Sequence, residues 1–181
     1  MTDSRNALVL EREEMPYREE ERSSAPLRVC FVCTGNTCRS PMAEAVARDI
    51  LETRADADVE VTSAGLYANE GDPISPNAVA ALQEAGIEPS KTRDYRRHRA
   101  HTITGEEAER ADLLVGMSAS HCMELMMRFP TAAQKITMMK SPISDPYGGD
   151  LNCYRACLAE ITEGVRTLLA IDGVEENGGR E

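Results

Sequence analysis

The stretch LRVCFVCTGNTCRSP, Leu27 to Pro41, sets the reading of the whole chain. Its first six residues, LRVCFV, form a short apolar run of the kind that makes a strand buried on both faces. A turn follows that contains Gly35 and Asn36, residue types that tolerate unusual backbone angles. Ser40 and Pro41 then mark a helix start, the proline at the first helical position and the serine as its cap. Strand, glycine-bearing turn and helix in succession form the first unit of a parallel α/β sheet.

The same alternation runs on to the end of the chain. Strands are expected at 58–65 (DVEVTSAG), 112–117 (DLLVGM) and 135–139 (KITMM). Helices are expected at 41–54, at 75–86 closed by Gly86, at 105–111, at 118–129 and at 151–170. The stretch KTRDYRRHRAHTIT, residues 91–104, is basic and irregular, and its arginines either meet acidic protein surfaces or are simply solvated. The expected fold is therefore α/β and three-layered, a four-stranded parallel sheet with helices on both faces. Residues 1–26 form a mixed-charge arm, disordered or partly helical, ahead of a domain over 27–172 and a flexible tail over 173–181.

Bulk properties narrow the function. The chain has 181 residues, enough for one buried core, and a formal net charge of -11. That charge argues against nucleic acid or an anionic membrane as a partner. No run of eighteen apolar residues spans a membrane, and the N-terminus carries no secretory pattern. The six cysteines then read as reduced thiols in a cytoplasmic setting. Zinc is the other use for such residues. The pairs Cys30/Cys33 and Cys153/Cys157 do not suit it, because the first lies on a strand with alternating faces and the second in a helical run.

In parallel sheets, ligands sit at the C-terminal strand ends, so the turn after the first strand is where chemistry is expected. Successive N–H groups around Gly35 and Asn36 can form an anion nest, to which the following helix N-terminus adds a favourable dipole. The same surroundings favour the thiolate of a cysteine at the floor, and Cys33 is placed there. Arg39, six residues on, can fork two equatorial oxygens of a phosphoryl group. Cys122 and Arg128 repeat that spacing, but in a methionine-rich helical run without glycine, where no nest forms and Cys122 reads as core. Asp145, in the loop SDPYGG after the fourth strand, can supply a proton to a leaving group; taken alone it is an ordinary Asp-Pro turn.

With both motifs in hand, the chain resembles the low-molecular-weight protein tyrosine phosphatase family from about Arg28 to Leu169. The loop motif stands complete as CTGNTCRSP and the late acid motif as DPY, while TSAG and HRAHTIT fall where family members carry similar pieces. The resemblance implies a cysteine-dependent phosphoprotein phosphatase that needs no cofactor and no metal. It implies that Cys33 attacks phosphorus to give a phosphocysteine and that Arg39 holds the equatorial oxygens with the loop N–H groups. Asp145 then serves as acid and, later, as base. Thr34, Gly35, Asn36, Thr37, Cys38 and Ser40 are expected at the substrate, with Ser40 also assisting the thiolate. Asn36, Ser63 and His98 match a polar network that braces the loop, although His98 also reads as a surface residue of a basic stretch. Cys38 matches a residue that traps the oxidised nucleophile as a disulfide, or else is a small buried filler.

Thr37 refines the substrate. Tyrosine-specific members commonly carry an aliphatic residue there, and the threonine resembles the protein-arginine phosphatase branch. A phosphoarginine pocket needs hydrogen-bond acceptors beside the scissile P–N bond, which Thr37 and Asp145 offer. Tyr67 and Tyr147 either wall that pocket or pack. The function expected is hydrolysis of phosphoarginine on proteins, by a monomer in the cytoplasm. The nearest rival is a phosphotyrosine phosphatase with the same machinery. A thioredoxin-coupled arsenate reductase lacks its later cysteine pair here, and a non-catalytic phosphate-binding module leaves nucleophile, arginine and acid without purpose.

Overall fold

The computed structural model describes residues 25–54, 58–89, 92 and 94–169. The expected arm, apart from its last two residues, and the expected tail lie outside them. Four parallel strands, β1 (Leu27–Cys33), β2 (Val59–Gly65), β3 (Leu113–Gly116) and β4 (Ile136–Met138), form one sheet in the order β2-β1-β3-β4. Strand β1 is central because its run from Val29 to Cys33 is buried on both faces. It pairs with β2 from Leu27–Val59 to Cys33–Gly65 and with β3 from Val29–Leu113 to Val32–Gly116.

Alternation along β1 divides the core into two layers. Val29, Phe31 and Cys33 face a cluster built with α1 (Arg39–Glu52), α2 (Pro76–Glu84) and α5 (Leu151–Leu168). Cys30 and Val32 face a second cluster built with α3 (Gly105–Arg110) and α4 (Ala119–Arg128). Cys30 and Cys33 thus lie on opposite faces, as the alternation requires. The expected α/β three-layer architecture is the one observed.

Two local expectations shift. Helix α1 starts at Arg39, with Cys38 at its N-cap position, so Ser40 is not a cap. Its hydroxyl is drawn instead into the loop below. Gly35 does not take a positive φ; Asn36 does, at 55°. The Gly86 signal holds, the residue leaving α2 at a φ of +73°; the structure adds an Asp150 cap on α5 through Cys153 N–H and a capping box of Thr104 with Glu107 on α3.

Gly65 ends β2 beside the β1 turn, and a Cβ there would lie 2.9 Å from the Thr34 carbonyl and 3.1 Å from Asn36 Cβ. Neither neighbour is a flexible side-chain end. Gly65→Ala is expected to destabilise the fold by about 1–3 kcal/mol in urea titrations and to lower turnover together with stability.

Candidate active site

Cys33 is the last residue of β1 and Arg39 the first of α1, so Thr34 to Cys38 make the whole connection. The connection closes because Asn36, fully buried, adopts a left-handed backbone and is held on every side. Its Nδ2 donates to Ser40 Oγ at 2.9 Å and Ser63 Oγ at 3.2 Å, and its Oδ1 accepts from His101 N–H at 3.1 Å. Its carbonyl accepts from His98 Nε2 at 2.8 Å, and its own N–H points at Cys33 Sγ, 3.3 Å away. A left-handed non-glycine residue costs about 1–3 kcal/mol, while each buried bond returns about 1 kcal/mol, so this many bonds are what the conformation needs.

Below that layer lies a second. Ser63 donates to Glu44 Oε2 at 2.7 Å, and Glu44 pairs with Arg48 at 3.1 Å. Arg48 also donates to the Val61 carbonyl and to Thr92 Oγ1. Glu44 is buried and Arg48 half-buried; four apart on α1, they carry no local sequence mark that sets them apart from a solvated helix pair, so their supporting role was not legible. His98 is 3 % exposed and donates to the Asn36 carbonyl, so it is not the surface residue of a basic stretch. Ser40 reaches Cys33 Sγ at 3.0 Å and donates to the Ala64 carbonyl at 3.2 Å. Asn36 and Ser40 were expected at the substrate, but neither lines the cleft above the loop, and their fully buried side chains are engaged in bracing it.

Above the loop opens a cleft of about 260 Å³ that brings together Cys33, Arg39 and Asp145. Thr34, Gly35, Thr37 and Cys38 line it from the loop, Tyr67 and Tyr147 from its rim, and Asn69 and Asp72, which the sequence reading passed over, from the segment after β2. Arg39 is buried, and its Nη2 donates to Asp145 Oδ2 at 2.9 Å. The Asp145 side chain is 51 % exposed, so this pair is of the solvent-screened kind worth no more than about 1 kcal/mol. Bonds from arginine to a phosphoryl group are stronger, roughly 1.5–3 kcal/mol each. The Arg39–Asp145 pair is thus weak enough to be exchanged for bonds of that kind.

The rim is built from α4. Tyr67 donates to Glu124 at 2.7 Å, and the Arg128 guanidinium lies 4.2 Å from its ring centre. Arg128 also binds Glu124 at 2.6 Å and the Leu66 carbonyl at 2.6 Å. The arginine of the decoy spacing is thus no clamp on phosphate but a brace for the aromatic wall. Cys122 is buried and points to the Thr137 carbonyl, as a core residue does. Tyr147 is exposed at the rim, its N–H bound to Asp145 Oδ1 at 3.2 Å.

Two further residues touch the loop from distant segments. Tyr154 of α5 lies 3.2 Å from Cys38 Sγ, and burial, with Cys38 beside it, pushes the phenol up to about 12. Burial likewise raises the Cys38 thiol. His121 of α4 holds Thr34 Oγ1 at 2.9 Å through Nε2, with Ser118 Oγ 3.0 Å from Nδ1. Burial, then the nearby Arg39 charge, brings His121 down to about 4. No group of three or more His, Cys, Asp or Glu side chains placed to hold a metal occurs among the described residues.

Comparison with known proteins places this geometry. Residues 28–178 match the family described as low molecular weight phosphotyrosine protein phosphatase. A protein-arginine-phosphatase of Geobacillus stearothermophilus is 38% identical over 143 residues, 75% of this chain and 89% of that protein. A probable low molecular weight protein-tyrosine-phosphatase, EpsP, of Ralstonia solanacearum is 36% identical over 141 residues, 76% of this chain and 90% of that one. Among solved structures, the YwlE arginine phosphatase from Geobacillus stearothermophilus superposes with a TM-score of 0.69 at 34% identity, over 86% of this chain and 100% of that one.

His121 also makes stability depend on pH. Its folded value lies below the ordinary 6.5, so the unfolded chain takes up the proton first. Stability is full above about pH 6.5 and is lost as pH falls toward 4. His121→Gln is expected to lose about 2 kcal/mol less than wild type between pH 7 and pH 4.5, read from urea midpoints. Equal losses in the two proteins would remove His121 as a source of the pH dependence.

Proposed function

Since the chain belongs to the low molecular weight phosphotyrosine protein phosphatase family, and so is a cysteine-dependent phosphatase, we propose that it hydrolyses phosphoarginine on proteins through a phosphocysteine at Cys33. The observation that carries the substrate choice is Thr37, which lines the same cleft as Cys33 and Asp145. A hydroxyl there can accept from a guanidinium N–H, whereas the aliphatic side chain common in tyrosine-specific relatives packs on a phenyl ring. The arginine-phosphatase relatives support this choice. The EpsP relative, named for tyrosine, keeps phosphotyrosine as the competing substrate.

The reaction runs in two displacements. The phosphoryl group enters the loop, where N–H groups and Arg39 hold its equatorial oxygens and Asp145 is released from Arg39. Cys33 Sγ attacks phosphorus as the P–N bond breaks, and Asp145, which takes a proton from solvent once free of Arg39, gives that proton to the leaving nitrogen. Asp145, now ionised, takes a proton from a water that attacks the phosphocysteine. The S–P bond breaks, inorganic phosphate departs and the Cys33 thiolate returns to its contacts with Ser40 and the Asn36 N–H.

All six cysteines are unpaired, which supports a reducing, cytosolic setting, and we take the working unit to be a monomer. Cys38, next to Arg39 in the same loop, is read as the resolving thiol. A peroxide oxidises Cys33 to the sulfenic acid, Cys38 Sγ attacks it, and water leaves as the Cys33–Cys38 disulfide forms.

Three measurements check this reading. Phosphate release from matched phosphoarginine and phosphotyrosine peptides is expected to favour phosphoarginine at least tenfold in kcat/KM, and Thr37→Ile to cut that ratio about tenfold. A wild-type preference for phosphotyrosine would keep the mechanism and sink the substrate. Asp145→Asn is expected to lower kcat by about 10²–10⁴. After peroxide treatment, a dithiol should restore most of the wild-type starting activity but little of that of Cys38→Ser; equal recovery would leave Cys38 without a protective role.

A further inference from the structure

Asp72 stands in the active-site cleft with no part in the chemistry described so far. Its backbone is tightly fixed. The N–H donates to the Asn69 carbonyl at 3.2 Å, and the carbonyl accepts from Ala100 N–H at 2.8 Å. On one side Gly71, at a φ of +86°, donates to the Ala100 carbonyl at 2.8 Å; on the other Pro73 forms an antiparallel bridge with Arg99. The side chain is the opposite case. Among the described residues its carboxylate takes no hydrogen bond and no ion pair. Arg99, across the bridge, spends its Nη1 on the His98 carbonyl at 2.8 Å. A rigid backbone thus presents an unengaged carboxylate to the cleft.

That cleft holds one arginine, Arg39, and the phosphoryl group requires it. Asp145 cannot balance a cationic leaving group, because it must carry a proton when the P–N bond breaks and is then neutral. A guanidinium in the cleft therefore needs a second, ionised carboxylate. An aryl leaving group gains nothing from one. We propose that Asp72 is a specificity-determining residue that accepts N–H bonds from the guanidinium of the substrate while Arg39 holds its phosphoryl end. This rests on the phosphoarginine reading and adds to it the group that selects the cation.

The test measures kcat/KM for a phosphoarginine peptide and for para-nitrophenyl phosphate in wild type, Asp72→Asn and Asp72→Glu. The aryl substrate, which carries no cation, normalises for folding and for the shared chemistry. Asp72→Asn is expected to lower the phosphoarginine-to-aryl ratio by roughly tenfold to a hundredfold, the range of a charge-assisted hydrogen bond. Asp72→Glu, which keeps the charge, should retain more of the ratio than Asn does. A ratio within about twofold of wild type in Asp72→Asn would overturn the assignment of Asp72 alone, provided wild type cleaves phosphoarginine. A wild type that cleaves the aryl phosphate but not phosphoarginine would overturn the substrate reading, and this inference with it.

Discussion

The site depends on one buried residue, Asn36, being held in a backbone conformation it would not keep alone. Its amide and carbonyl meet Ser40, Ser63, His98 and the His101 N–H, drawn from three separate segments of the chain. These bonds turn the chain sharply between β1 and α1 and aim the Asn36 N–H at Cys33 Sγ. Preorganisation of this kind is what lets a short loop bind a dianion without reordering itself at the moment of reaction. The sheet serves the same end: β1 and β2 run in register to Cys33 and Gly65, so the loop and its bracing serine share one edge.

Above that fixed floor, the polar contacts are exchangeable. The Arg39–Asp145 pair is half solvated, and in the proposed mechanism it gives way to a phosphoryl group, so that binding and release of the acid are one event. The aromatic rim is fixed by different means. Tyr67 is pinned by Glu124 and Arg128, a helix pair that would be worth little in isolation but here bridges α4 to the Leu66 carbonyl. A rigid floor, a releasable acid and a braced wall together allow the leaving group to be chosen by a few residues around the rim.

Much of this was legible in the sequence, and the failures have a common cause. Apolar runs and helix-start residues located every strand and the five helices. Cys33, Arg39 and Asp145 were found because a strand, a glycine-bearing turn and an Asp-Pro loop must meet at one sheet edge. Ser40 was read as a cap because serine before proline usually is one, but tertiary bonds to Cys33 and Asn36 took its hydroxyl. Glu44, which no local pattern marks, proved to be a buried support. His121 and Tyr154 touch loop residues 87 and 116 positions away, a separation no local pattern reports. Asp72 was passed over because nothing in its local sequence marks it, and only the fold brings it to the cleft.

The central claim is that Cys33, on this preset floor, is the nucleophile. Rapid acid quench of the enzyme during turnover, followed by mass spectrometry of its peptides, tests that most directly. The account predicts a phosphoryl group on the peptide carrying Cys33, absent from Cys33→Ala. Turnover with no phosphoryl group at Cys33, or with one lodged on another residue, would contradict it.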